Sequence, residues 1–180
     1  MHRENGFTLI EMMIAIAVTA LLLSLAVPAV DLFVSNSRQT GAINDFVASI
    51  HMARSTAVTT NSRVTVCPSS TGTNCDAASW DQGWIVFADL DGNNSVGGTE
   101  AVVASSGPVD GLSFQSGEFP NLMVYRPNGR VVSASASGNA GQFTVCDDRG
   151  AEHAKVMIVD LSGRPRVAEA MADGSTPSCN

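Results

Sequence analysis

Gly6-Phe7-Thr8-Leu9-Ile10-Glu11 opens the stretch that decides the fold: from Phe7 to Val30 the chain runs for 24 residues in which Glu11 is the one charged side chain. Wound as an α-helix at about 1.5 Å per residue, this run is about 36 Å long, enough to cross a bilayer. His2 and Arg3 precede it, and the next basic residue is Arg38, beyond Asp31. The positive-inside rule then keeps the short N-terminal segment in the cytoplasm and sends the remainder outside. A secretory signal would have a shorter apolar core and a small-residue cleavage site, which Val27 and Ala29 satisfy loosely, and a plain anchor would match the length. Neither gives Glu11 a role. An acid at the centre of a membrane helix costs up to about 2.5 to 3.5 kcal/mol and is rarely kept without a partner, so Glu11 is a functional residue.

Outward from this run the helix continues over residues 31–62. Ile43, Phe46, Val47, Ile50, Ala53 and Ala57 recur at three- and four-residue spacing, with Arg38, Asn44, Asp45 and His51 between them, so one stripe packs on a globular domain. Thr59, Thr60, Asn61 and Ser62 are poor helix formers together and end the helix near residue 60. Pro28 lacks a backbone donor and Gly41 lowers helix stability, which makes them the expected bends or weak points.

After residue 62 the pattern changes to short β-prone runs between turn residues. Strands are expected at 63–67, 83–88, 101–104, 112–114, 122–126, 130–133, 142–146, 155–161 and 166–168. Pro127-Asn128-Gly129 reads as a hairpin turn whose Asn-Gly supplies positive φ angles, and Ser162-Gly163-Arg164-Pro165 as a second turn. One long helix followed by antiparallel strands is an α+β architecture, with the sheet of 63–180 packed on the helix stripe.

Cys67, Cys75, Cys146 and Cys179 show no Cys-x-x-Cys spacing, so disulfides in an oxidising compartment are favoured over zinc or redox chemistry. Cys67 and Cys75 are close enough to close a small loop, which leaves Cys146 to hold the tail through Cys179. Four cysteines nevertheless permit three pairings, and the sequence leaves that choice open. A net charge of -7 excludes a protein that coats nucleic acid over its whole surface, though not one with a local basic patch. Enzyme chemistry has no support in the motifs: there is no Gly-x-Ser-x-Gly, His-Glu-x-x-His or phosphate loop, and of three histidines His2 lies in the leader, while His51 and His153 read as surface or interface residues. No cofactor is expected.

The segment Gly6 to Glu11, with Pro28 in register on the same apolar helix, resembles the processing motif of type IV pilins and type II secretion pseudopilins. The resemblance implies a leader at 1–6 removed after Gly6 by a prepilin peptidase, N-methylation of the new Phe7 amine, and packing of the 7–30 helices in a filament core. Glu11 would there answer the amine of a neighbouring Phe7 and set the subunit register, since removing one member of a low-dielectric ion pair strands the other. Pro28 sits where this family often bends its helix. Trp80 to Glu100, with Gly83-Trp84-Ile85-Val86-Phe87 leading into Asp89-x-Asp91-Gly92-Asn93, is similar to the GspH/FimT/FimU group of minor pilins and pseudopilins. Such a subunit is implied to wait in the inner membrane as a single-pass protein with a periplasmic head and then to join a surface pilus. It would prime assembly at or near the tip, with other minor and major pilins and the inner-membrane assembly platform as partners. A place in a type II secretion pseudopilus is the alternative.

Gly163-Arg164-Pro165-Arg166 fits the arginine motif that the FimT branch associates with DNA uptake. Alternate residues beside a turn put Arg164 and Arg166 on one face, where planar guanidiniums suit phosphates, and Arg126, Arg130, Arg149 and Lys155 would extend the patch wherever the sheet brings them near. The ordinary reading is a turn with solvated arginines. Asp89, Asp91, Asn93, Ser95 and Glu100 occupy positions one, three, five, seven and twelve of an EF-hand-like count. Asn94 stands where that loop needs glycine and the flanks read as strands, so a polar hairpin loop is favoured and no metal site is expected.

Overall fold

The computed structural model describes residues 6–133 and 140–179, apart from the side chains of 25–29 and 133. Residues 1–5 of the expected leader and the Pro28 side chain therefore lie outside the described residues. The chain forms two units, Met1–Arg38 and Gln39–Asn180.

Helix α1 (Leu9–Thr60) begins in the first unit. Its N-terminus is capped by Thr8, whose hydroxyl accepts a hydrogen bond from the Glu11 amide at 3.3 Å, half of a capping box in which Glu11 holds the third helical position. From Leu9 to Leu23 the large apolar side chains are exposed. Among the described residues no helix is long and apolar enough to cross a membrane. The helix is continuous through positions 28 and 41.

In the second unit, Ala42, Ile43, Phe46, Ile50, Ala53 and Ala57 are buried and Val47 packs beside them, as the helical spacing requires. Gln39 is also buried, and its amide donates to the carbonyls of Val145 (3.1 Å) and His153 (3.0 Å). Asn61 ends the helix with φ 49°, and the Ser62 amide returns to the Ala57 carbonyl at 3.3 Å, a Schellman-type closure.

Among the described residues nine strands follow, at the nine places the alternation marks. They are β1 (Arg63–Pro68), β2 (Trp84–Asp89), β3 (Val102–Ser106), β4 (Leu112–Gln115), β5 (Met123–Tyr125), β6 (Val131–Ser133), β7 (Gly141–Asp147), β8 (Lys155–Val159) and β9 (Pro165–Ala168). They form two antiparallel sheets, β3-β2-β1-β5-β6 and β4-β7-β8-β9, in place of the one sheet expected. Sheet membership is settled by non-local pairing such as β4 with β7, Leu112 opposite Asp147, which no local pattern encodes. Alternate residues of both sheets face α1: Val64, Val66, Trp84 and Tyr125 from one, Phe114, Phe143, Val145 and Val159 from the other. Phe46 sits at the centre, with ring centroids 4.8 Å from Trp84, 4.9 Å from Phe143, 5.4 Å from Trp80 and 5.6 Å from Phe114, all edge-on.

The outer faces are closed by covalent links. Cys67–Cys75 joins the end of β1 to the loop that follows, beside Ile85 and Phe87, and Cys146–Cys179 ties the tail to β7, with Cα separations of 5.6 and 5.9 Å. Every buried core residue among those described lies at position 39 or later, so the second unit carries a complete core of its own.

Candidate functional site

Gly6 and Phe7 precede the first turn of α1 and are exposed. Glu11 is exposed as well. Its place in the first turn favours an acid, because unpaired amides at a helix N-terminus carry partial positive charge worth about 0.3 to 1 kcal/mol. That local role went unread in the sequence, although Thr8-x-x-Glu11 is the signature of a capping box.

The two basic turns share one build. In the first, the Gly129 amide donates to the Arg126 carbonyl at 2.8 Å and the Arg126 amide to the Arg130 carbonyl at 3.0 Å, with Gly129 at φ 74°. Asn128 does not take positive φ, which corrects the expected Asn-Gly turn. Pro127 at the first corner is locked near φ -65°, so the chain makes a type I turn closed by a glycine bulge. In the second, the Gly163 amide donates to the Asp160 carbonyl at 2.9 Å and the Asp160 amide to the Arg164 carbonyl at 3.2 Å, again with glycine at φ 74°. This turn begins two residues earlier than expected, at Asp160. The Asp160 carboxylate accepts from the Ser162 hydroxyl (2.6 Å), the Ser162 amide (2.8 Å) and the Arg164 amide (3.1 Å). The Ser162 hydroxyl bond, outweighing partial desolvation, holds its carboxyl below the usual range, with the nearby Arg164 charge assisting.

Arg164 and Arg166 are both exposed. Two apart along an extended segment, they share a face, with Arg166 opposite Ile158 in the β8–β9 ladder. Of the other basic residues considered for a patch, Lys155 pairs with Glu169 at 3.0 Å, and Arg149 donates from Nε to Asp147 at 2.8 Å. Burial works against ionisation of Asp147, but the Arg149 hydrogen bonds overcome it and lower the carboxyl. Both cations are thereby committed to local acids, whereas Arg126 and Arg130 stand exposed on the first turn.

The acidic loop is organised by its own donors. Asp89 is buried, accepts from the Thr65 hydroxyl at 2.9 Å and lies 3.6 Å from the Arg63 guanidinium. Glu100 accepts from the amides of Leu90 (2.7 Å) and Gly97 (3.0 Å); partial desolvation opposes its charge, and these bonds outweigh it to lower its carboxyl. Asp91 accepts from both the amide and the side chain of Asn93, at 3.0 and 2.7 Å. One oxygen from each of Asp89, Asp91 and Glu100 falls within 4.8 Å of the others, and Asn94 adopts φ 61°, the conformation that glycine would supply in a calcium loop. β2 and β3 flank the loop, and Arg63 with the loop amides already supplies the positive partners a cation would offer. His51 and His153 are both exposed, and at His153 it is the backbone carbonyl that is used, by Gln39.

The fold is that of a crystallised pilin. The type IV minor pilin FimU of Pseudomonas aeruginosa (strain PAO1) aligns with 82% of this chain and 99% of its own at a TM-score of 0.61, and a second crystal form of FimU with 78% and 99% at 0.56, each at 17% sequence identity. At that identity the likeness is one of fold. No curated protein matches the chain in sequence. Residues 1–27 match the prokaryotic N-terminal methylation motif, and residues 42–163 match the family described as Type II transport protein GspH. Since that second match spans most of the chain, β1 to β8 within it, the protein belongs to the GspH family of minor pilins and pseudopilins.

Proposed function

We propose that this chain is a minor type IV pilin that primes pilus assembly at or near the filament tip and catches DNA there through the Arg164 turn. The observation that carries the assembly reading is the mismatch between the two units. The second completes its core without the first, while the first exposes the large apolar side chains from Leu9 to Leu23, a surface that demands lipid or neighbouring helices. On this reading the precursor spans the inner membrane through 7–30 with its head in the periplasm. Prepilin peptidase cuts after Gly6, Phe7 is methylated, and the assembly platform passes the subunit to other minor and major pilins through Glu11, with Pro28 adjusting the helix. Arg164 and Arg166 supply phosphate contacts.

The family description, a type II transport protein, favours a second reading in which the same architecture serves a secretion pseudopilus. A deletion strain complemented with wild type or with Arg164→Gln/Arg166→Gln separates these readings when scored for surface pili, transformation and exoprotein secretion. The deletion should lose pili and keep secretion, and the double variant should restore pili but not transformation. Loss of secretion with pili intact would move the protein to the pseudopilus. Full transformation by the double variant would remove DNA from its role.

A further inference from the structure

We propose that the Arg126–Arg130 turn is the second half of the DNA-binding surface, so that Arg126, Arg130, Arg164 and Arg166 engage the phosphates of one DNA molecule together. This rests on the DNA reading of the Arg164 turn and adds a site from another sheet. The two turns are bolted to each other through backbone carbonyls. The buried Tyr125 hydroxyl donates to the Gly163 carbonyl at 3.0 Å, and Arg54 Nε on α1 donates both to the Gly129 carbonyl (3.2 Å) and to the Ser162 carbonyl (3.1 Å). A Cβ on Gly163 would lie 2.5 Å from the Gly129 oxygen, so only glycine permits the approach. Arg130 and Arg164 each follow one of these glycines, which puts their Cα atoms no more than roughly 14 Å apart given 3.8 Å per residue.

Charge and shape agree with this placement. Among the described residues none of the four arginines makes a salt bridge, while Arg149 and Lys155 do. Asp160, the acid of the second turn, directs its carboxylate to the backbone and hydroxyl of its own turn. Arg126, Asn128 and Arg130 border a surface pocket of about 140 Å³, room for a phosphate group. The net charge of -7 opposes attraction at a distance, so binding depends on this local cluster and is strongly salt-dependent.

The test uses the fragment 39–180, which holds the whole described core, and a short mixed-sequence DNA duplex titrated over a salt series. At about 0.9 per phosphate contact, wild type should give a log-log salt slope of about -3 to -4. Arg126→Gln/Arg130→Gln and Arg164→Gln/Arg166→Gln should each lower its magnitude by about 2, with unchanged circular dichroism and melting. Arg149→Gln/Lys155→Gln should leave it as it was. A wild-type slope and affinity in the Arg126/Arg130 variant, alongside weakened binding in the Arg164/Arg166 variant, would overturn the Arg126–Arg130 turn as a DNA contact and leave the Arg164 turn standing. No wild-type binding at low salt would overturn both. An equal loss in the Arg149/Lys155 variant would reduce the effect to net charge and overturn the proposal.

Discussion

Glu11→Gln is expected to exclude the subunit from filaments while leaving its helix and head folded. Glutamine is close in shape and helix propensity, and the Thr8 cap uses the residue 11 amide, which the substitution keeps. What disappears is the negative charge. In a core of packed apolar helices a Phe7 ammonium without its counter-charge is an uncompensated buried ion, and losses of about 3 to 5 kcal/mol accompany the breaking of such a pair. Thr8→Ala supplies the opposite control, removing the cap at about 1 kcal/mol while preserving the charge. Immunoblots of sheared pili should show the Thr8 variant at near wild-type levels and the Glu11 variant confined to the membrane fraction. Wild-type incorporation of Glu11→Gln would reduce Glu11 to a helix-capping residue.

Phe46→Ala is expected to destabilise the head by about 3 to 5 kcal/mol, the range for truncating a fully buried phenylalanine. Its ring meets four other aromatic rings from both sheets and the segment between β1 and β2, so no single element can collapse into the space it leaves. Against a total of about 5 to 15 kcal/mol for a domain, this is a large share. Urea unfolding of the fragment 39–180 should show a much lower midpoint at unchanged slope. A loss below about 1 kcal/mol would contradict the placement of Phe46 at the packing centre.

The contrast between Phe46 and Gln39 shows what the sequence makes legible. Ile43, Phe46, Ile50, Ala53 and Ala57 announce the packed stripe because hydrophobic burial is periodic and local. Gln39 lies on the same helix equally buried, but a polar side chain breaks the pattern, and its partners, Val145 and His153, are more than a hundred residues away. Strand positions were legible from alternation, while the split into two sheets depends on which strands meet. The arginines of the candidate site could be named, Arg164 and Arg166 from the resemblance of their Gly-Arg-x-Arg stretch to a family motif and Arg126 and Arg130 as further basic residues. Their grouping could not, because it hangs on contacts between Gly129 and Gly163 and on Arg54 and Tyr125, residues without a motif of their own. At Pro127-Asn128-Gly129 the Asn-Gly pair alone points to a two-residue turn, whereas the fixed φ of proline suits the first corner of the bulged form that the chain adopts.

Assembly by the N-terminal helix requires that this helix remain part of the finished subunit. Intact-mass and N-terminal fragment analysis of the protein recovered from sheared filaments decides the matter. The account predicts a chain that starts at Phe7 with a methylated amine and retains Glu11. A mature chain starting at Val30, with the apolar segment discarded, would contradict it.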